Sequence, residues 1–295
     1  MKKYRLDILG VSETHLRGSG QREVGSMVMV YSGVVEGRAK GGVAILISEQ
    51  LSSCLKEWKC ENERLMKVRM RIDGKWVTLI QAYAPTEDSE EGLKDSFYDS
   101  LEEMIGRTPK NDQLVVMGDL NARVGRDSEA WGGVIGRHGE ETKTRSGQRL
   151  LSVCAANELV ILNTFFQHKD IHKYTWESRG RGLRSIIDYF VVKKALRTGV
   201  ADVKVIRGAE VGSDHYLVLM KLNLKLKKQR KPIEPTKQIL RLNRLMEKEV
   251  RRKFQRELAI RLRQGACKRE EGVEKAWQSF RDTIKDVAEK SGRQK

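Results

Sequence analysis

Leu114-Val115-Val116-Met117-Gly118-Asp119-Leu120-Asn121 and Ser213-Asp214-His215-Tyr216-Leu217-Val218-Leu219-Met220 decide the reading of this chain. In the first stretch an apolar run closes on an acid and an amide. In the second an acid and an imidazole open an apolar run. Short continuous apolar runs bounded by turn-forming residues describe buried strands, so each delivers polar groups to one end of a sheet. Three more segments repeat the arrangement. Glu13 follows Leu6-Asp7-Ile8-Leu9-Gly10-Val11, Tyr83 follows Val77-Thr78-Leu79-Ile80, and Asp188 precedes Phe190-Val191-Val192. Polar groups gathered at strand ends are how an α/β enzyme builds a site on a rigid scaffold.

The chemistry these groups suit is attack of water on a phosphodiester, which needs a divalent cation, a carboxylate base and donors for the charge on the phosphoryl oxygens. Glu13 and Asp214 offer hard oxygen ligands for Mg²⁺, with Mn²⁺ as the alternative. Mg²⁺ takes one or two carboxylates plus substrate phosphate and keeps several waters. Asp119 is suited to orient and deprotonate the attacking water. Asn121 and Tyr83 carry neutral donors for the developing charge, and His215 is suited to reach a phosphate oxygen while Asp188 fixes its tautomer. Taken singly, Gly-Asp-x-Asn is also an Asx turn and Ser-Asp-His also a cap. The joint order of the five positions points to catalysis.

In that order the chain resembles the endonuclease/exonuclease/phosphatase superfamily and its DNase I-like fold, over about Leu6 to Leu222. Glu13-Thr14 looks like its metal-ligand motif, Ala82-Tyr83-Ala84-Pro85 its catalytic tyrosine motif, and Gly118-Asp119-Leu120-Asn121 its base and amide motif. Ile187-Asp188-Tyr189-Phe190 and Ser213-Asp214-His215 look like its paired aspartate and terminal Asp-His. Tyr174-Thr175-Trp176 ahead of Ile187-Asp188-Tyr189, with the basic tail, is similar to the endonuclease of RTE-type LINE retrotransposons, a group whose relatives are called craniofacial development protein 2-like.

The resemblance implies an α/β fold of two packed β-sheets flanked by helices, a four-layer sandwich, and Mg²⁺-dependent nicking of DNA by a single displacement. The alternatives are a catalytically inactive nucleic-acid-binding or interaction protein, and a phosphatase of the same fold. Family members begin with a strand carrying an asparagine, then a helix. Here Met1-Lys2-Lys3-Tyr4 precedes the Leu-Asp-Ile-Leu strand directly, so that first strand is expected to be missing. The expected organisation is a nuclease-like domain over 1–222, a basic linker over 223–236, and a helical tail over 237–295 that resembles the lead toward a reverse transcriptase.

Charge agrees with a polyanionic partner. The 295 residues hold 57 Lys and Arg against 40 Asp and Glu, a net of +17, which favours DNA bound mostly through its phosphates. Residues 223–264 alone carry 15 Lys and Arg against 4 Glu, a net of +11. Arg145 in the Gly125–Gly147 loop, and Arg179, Arg181 and Arg184 beside Gly180 and Gly182, are candidates for phosphate contact. Trp176 is a candidate for stacking on a displaced base, or for the core.

Other classes are disfavoured. Cys54, Cys60, Cys154 and Cys267 show no Cys-x-x-Cys spacing, which argues against zinc and a disulfide framework. His168 and His172 have helical metal-pair spacing, but their polar neighbours read as a loop. No apolar run approaches the roughly 18 residues of a membrane helix, and no charged-then-apolar leader opens the chain. The expectation is a nuclear or cytoplasmic protein that is not secreted, with Lys227-Lys228-Gln229-Arg230-Lys231 as a candidate nuclear address.

Patterning places strands at 6–12, 27–31, 43–47, 65–72, 76–83, 114–118, 159–162, 186–192 and 215–222. Leu93, Phe97, Leu101 and Ile105 mark a helix, as do Leu150, Leu151 and Cys154. In the tail, Val250, Phe254, Leu258 and Leu262 form one amphipathic stripe. Val273, Ala276, Trp277, Phe280, Ile284 and Val287 form another, and these stripes are suited to a protein partner.

Overall fold

The computed structural model describes residues 1–37, 41–178, 180–209, 212–223, 248–264, 277, 280–284, 286 and 287. The strands are β1 (Ile8–Ser12), β2 (Ser19–Val24), β3 (Met27–Ser32), β4 (Val43–Ile47), β5 (Leu55–Cys60), β6 (Leu65–Ile72), β7 (Lys75–Tyr83), β8 (Gln113–Asp119), β9 (Leu159–Ile161), β10 (Trp176–Ser178), β11 (Leu183–Ser185), β12 (Asp188–Lys193), β13 (Val200–Ile206) and β14 (Leu217–Leu222). The helices are α1 (Glu49–Ser52), α2 (Glu91–Gly106), α3 (Arg145–Ala156) and α4 (Lys248–Gln264). One sheet has the order β1-β4-β3-β2 and a second β5-β6-β7-β8-β12-β9, while β10-β11 and β13-β14 form two-stranded ribbons.

The apolar run of β8 explains the layering. Leu114 and Val116 join a core with Phe97 and Leu101 of α2 and Leu150 and Leu151 of α3. Val115 and Met117 point the other way, into a core with Val30 of β3 and Val43, Ile45 and Ile47 of β4. All four side chains are buried, and each such burial is worth about 1.5–3 kcal/mol. β8 is thus covered on both faces, by helices on one side and by the four-stranded sheet on the other. The expected mixed α/β architecture of packed sheets and flanking helices is what forms.

β6 shows the one-sided case. Met66, Val68, Met70 and Ile72 are buried, while Lys67, Arg69 and Arg71 alternate with them on a more exposed face. Arg69 crosses to Asp112, its Nε 2.7 Å and Nη2 3.2 Å from the two carboxylate oxygens, and Thr78 Oγ1 donates to the same group at 2.7 Å. This charge-assisted fork ties β6 and β7 to the turn that starts β8.

Some expectations need correction. Leu93 is exposed, and Lys94 is buried in its place because its Nζ reaches the Glu87 carbonyl and the Glu91 carboxylate. Five strands lie outside the expected set. β2 and β5 are charged and largely exposed, β10 and β11 have three residues each, and β13 alternates Val203 and Val205 with Lys204. His168 and His172 bind separate partners on β13, the Asp202 carboxylate and the Val205 carbonyl.

Contacts divide the chain into Met1–Lys227 and Lys228–Lys295. In the second unit Val250, Phe254, Leu258 and Leu262 are the half-buried stripe of α4. Trp277 stacks on Phe280 at 6.0 Å. Gly265, Cys267, Gly272, Val273, Ala276 and all of the 223–236 linker but Asn223 lie outside the described residues. No described helix is long and apolar enough to cross a membrane.

Gly118 fixes the approach of β7 to β8. Its φ is +134°, and a Cβ there falls 2.0 Å from the Ala82 carbonyl oxygen, so Gly118→Ala must both strain its own backbone and push the strands apart. The strain alone costs about 1–3 kcal/mol. A urea unfolding curve should show at least that loss; a variant as stable as the parent would mean the strands are not packed this closely.

Candidate active site

Two strand registers place the site. Tyr83 ends β7 and pairs with Asp119 at the end of β8 in the one parallel ladder of the sheet. Asp119 pairs in turn with Asp188, the first residue of antiparallel β12. The three side chains therefore form a row across the strand ends, with neighbouring strands about 4.8 Å apart. Directly opposed residues share a face, so the two carboxylates repel each other unless a cation lies between.

His215 supplies that cation. It sits two residues ahead of β14, held by a bridge to Trp176 and by its own N–H donating to Ser213 Oγ at 3.0 Å. Its Nδ1 lies 3.0 and 3.2 Å from the two Asp188 oxygens, and its Nε2 is 4.0 Å from Asp119 Oδ2. Burial lowers the imidazole, but the hydrogen bond and charge of Asp188, with Asp119 and Asp214 behind them, raise it to about 9. At neutral pH it is an imidazolium whose Nε2–H is turned away from Asp188.

Asp119 is buried. Desolvation first, then the charge of Asp188, holds its carboxyl well above the usual carboxylate range, while His215 and the Asn121 N–H pull the other way. A carboxylate tuned upward is a stronger base near neutral pH. Asn121 fixes it: the backbone N–H donates to Oδ1 at 3.0 Å, and Nδ2 donates to Oδ2 at 3.2 Å and to the Ala84 carbonyl at 2.9 Å. Both amide hydrogens are engaged, so in this arrangement Asn121 orients the Asp119 carboxyl rather than presenting a donor outward.

Glu13 follows β1 with a φ of 55°, a region few non-glycine residues adopt. Flanking backbone bonds, Thr14 N–H to the Gly42 carbonyl and His15 N–H to the Gly41 carbonyl, hold it there. Tyr83 donates its hydroxyl to Glu13 Oε1 at 2.5 Å. Burial, then the hydrogen bond and charge of Glu13, raise the phenol, so it stays protonated. Asp214 accepts from Trp176 Nε1 at 2.8 Å, which engages the edge of the indole with the site. Glu13 and Asp214 are exposed, and among the described residues no group of three or more His, Cys, Asp or Glu side chains is arranged to hold a metal ion. The donors fit a hard cation that takes one or two carboxylates and keeps its waters, not one that needs a protein cage.

The structure thus gathers Tyr83, Asp119, Asn121, Asp188 and His215, with Glu13 joined through Tyr83 and Asp214 through Trp176. The arginines lie apart from this row. Arg145 is exposed at the start of α3, its N–H donating to Glu87. Arg181 is exposed in the β10–β11 turn, Arg184 pairs with Asp170 at 2.6 Å, and Arg179 lies outside the described residues.

Three positioning residues escaped the sequence reading. Thr175 Oγ1 accepts the N–H groups of Ile187 and Asp188 at 3.0 and 3.1 Å. Asn163 brackets Asp188, donating to its carbonyl and accepting from Phe190 N–H, both at 3.0 Å. Arg64 lies over the Tyr83 ring at 5.0 Å. Only Thr175 had a signal, its place in Tyr-Thr-Trp.

Residues 1–215 match the Endonuclease/Exonuclease/phosphatase family. Craniofacial development protein 2 of Bos taurus is 37% identical over 227 residues, covering 77% of this chain and 38% of that protein. The chain therefore spans about two fifths of that relative's length. The fold is similar to that of the 3′ phosphatase NExo from Neisseria bound to a product DNA hairpin, with a TM-score of 0.54, 21% identity, and coverage of 74% of this chain and 89% of that one. It is also similar to the endonuclease domain of TRAS1, a telomere-specific non-LTR retrotransposon, with a TM-score of 0.52, 17% identity, and coverage of 76% and 89%. At these identities the structural likeness shows the fold alone. The sequence match runs through every residue of the row to His215, and the chain belongs to the Endonuclease/Exonuclease/phosphatase family.

Proposed function

We propose that the chain is a retrotransposon-derived phosphodiester hydrolase that nicks DNA by direct attack of water, with Mg²⁺ as its cation and Mn²⁺ as a substitute. The observation that carries this reading is the alignment of Asp119 and Asp188 at the ends of β8 and β12 with His215 ahead of β14, in which one raised carboxyl and one imidazolium face the same opening. Asp119 takes the proton of the attacking water as its oxygen bonds to phosphorus, the ester P–O bond on the opposite side breaks, and the leaving oxygen takes a proton from solvent. The Nε2–H of His215 donates to a phosphate oxygen as charge builds there, while Asp188 holds the ring. Glu13, fixed by Tyr83, and Asp214, fixed by Trp176, would hold the cation, which would offset phosphate charge and polarise the ester.

Substrate size follows from charge. A net of +17, most of it in 223–264, supports a long polyanion over the small ester that a phosphatase of this fold takes. A DNA substrate implies a nuclear site of action, with Lys227-Lys228-Gln229-Arg230-Lys231 as the candidate address. The apolar stripe of α4 is the candidate surface for a protein partner.

On supercoiled plasmid in Mg²⁺, Asp119→Asn and His215→Ala should each lower nicking by about 10² or more, with DNA affinity changed little. An Asp119→Asn protein that nicks as fast as the parent removes Asp119 as the base. A parent that binds DNA but leaves plasmid intact in both Mg²⁺ and Mn²⁺ favours a catalytically inactive binding protein.

Non-specific affinity should reside largely in the basic stretch. Each phosphate neutralised adds about −0.9 to the slope of log affinity against log salt, so ending the chain at Asn223 should flatten that slope markedly in fluorescence anisotropy. An unchanged slope would put the DNA surface on the first unit.

A further inference from the structure

We propose that a basic cleft beside the active site is a second phosphate site, holding a backbone phosphate of the DNA away from the bond that is cut. The proposal rests on the DNA-hydrolase reading above and assigns the cleft its ligand. The cavity has a volume of about 290 Å³ and is bounded by Arg123, Arg126, Lys173 and Arg184 against Glu140 and Glu141. Four cations face two carboxylates in the lining, and with Asp170 paired to Arg184 an excess of one positive charge remains.

The two carboxylates differ in kind. Glu140 is buried and fully engaged, taking Arg123 Nε and Nη2 at 2.9 and 2.6 Å on one oxygen and the Ile186 N–H at 3.0 Å on the other. It is a wall, and it fixes Arg123. Glu141 and its partner Arg126 are 79% and 59% exposed, and Arg184 with Asp170 are 47% and 53% exposed. Surface pairs of this type are worth about 0–1 kcal/mol, so a phosphate, which matches guanidinium forks, displaces them at little cost. The one aromatic wall, Tyr174, already has Arg184 4.3 Å and Lys173 5.5 Å from its ring centre. That arrangement gathers positive charge and leaves the ring a poor platform for a base.

Position ties the cleft to the reaction. Tyr174-Thr175-Trp176 runs from the cleft to the row: Thr175 holds the Asp188 backbone, and Trp176 bridges His215 and binds Asp214. From the other side, Arg123 follows Asn121 by two residues, and Glu140 binds Ile186 just ahead of Asp188.

The test uses the full chain and a fluorescein-labelled DNA duplex. Arg126, Lys173 and Arg184 are changed together to Gln, with Arg123 kept because it neutralises buried Glu140. A control changes three exposed lysines near the opposite ends of the strands, Lys56, Lys75 and Lys110, to Gln and so alters net charge equally. The cleft variant should bind about tenfold or more weaker at low salt, and its salt slope should fall by about 0.9 for each phosphate lost, while the control keeps the parent slope. Equal slopes in the cleft variant and the parent, or equal losses in variant and control, overturn the proposal. A parent that shows the cleft effect without nicking contradicts the hydrolase reading and leaves the phosphate site standing. A parent that does not bind the duplex overturns both.

Discussion

Two carboxylates placed opposite each other at the ends of adjacent strands govern this structure. Asp119 and Asp188 are register partners, and the ladder that aligns Val191 with Val116 and Val192 with Val115 leaves them no freedom to separate. Their repulsion in a partly dry site has to be offset by a cation, and His215 is drawn to the place where it serves both. That requirement explains why the loop ahead of β14 is bridged to Trp176, and why Trp176 in turn holds Asp214. The apolar core sets the register, the register sets the acids, and the acids set the imidazole.

Such a site works against stability, and the surrounding structure carries the load. Glu13 and Asn121 both adopt positive φ, at 55° and 43°, and Asp119 is desolvated beside a like charge. Each feature costs of order 1–3 kcal/mol. They persist because β8 is buried on both faces, because the Thr14 and His15 N–H groups tie the backbone beside Glu13 to Gly42 and Gly41, and because the Ala84 N–H holds the Asp119 carbonyl. Strained residues that flank the acids and are held there by packed strands fit a preorganised site.

The sequence was most legible where burial is strongest. β4, β6 and β8 could be read within a residue or so because a strand covered on one or both faces must be apolar in a fixed rhythm. β2 and β5 were opaque, since exposed strands owe their conformation to neighbours rather than to their own residues. In β13, Val203 and Val205 carried an alternation that passed unread. The row of Tyr83, Asp119, Asp188 and His215 was visible as polar residues at the ends of apolar runs, but which groups share hydrogen bonds was not. That is why Asn121 reads differently in three dimensions, with both amide hydrogens turned to Ala84 and Asp119, and why Leu93 and Lys94 exchange the places that periodicity assigns them. Asn163 had no signal at all, because its role depends on a ladder between segments 25 residues apart.

The measurement closest to the central claim is the titration of the His215 ring by ¹⁵N NMR in metal-free buffer. If the opposed acids hold an imidazolium between them, the ring of the parent stays protonated through neutral pH and loses its proton near pH 9. Asp188→Asn, which removes the hydrogen-bonded charge, then brings the midpoint down toward the ordinary value of about 6.5. A His215 that titrates near 6.5 in the parent, or one whose midpoint is unmoved by Asp188→Asn, would contradict the account.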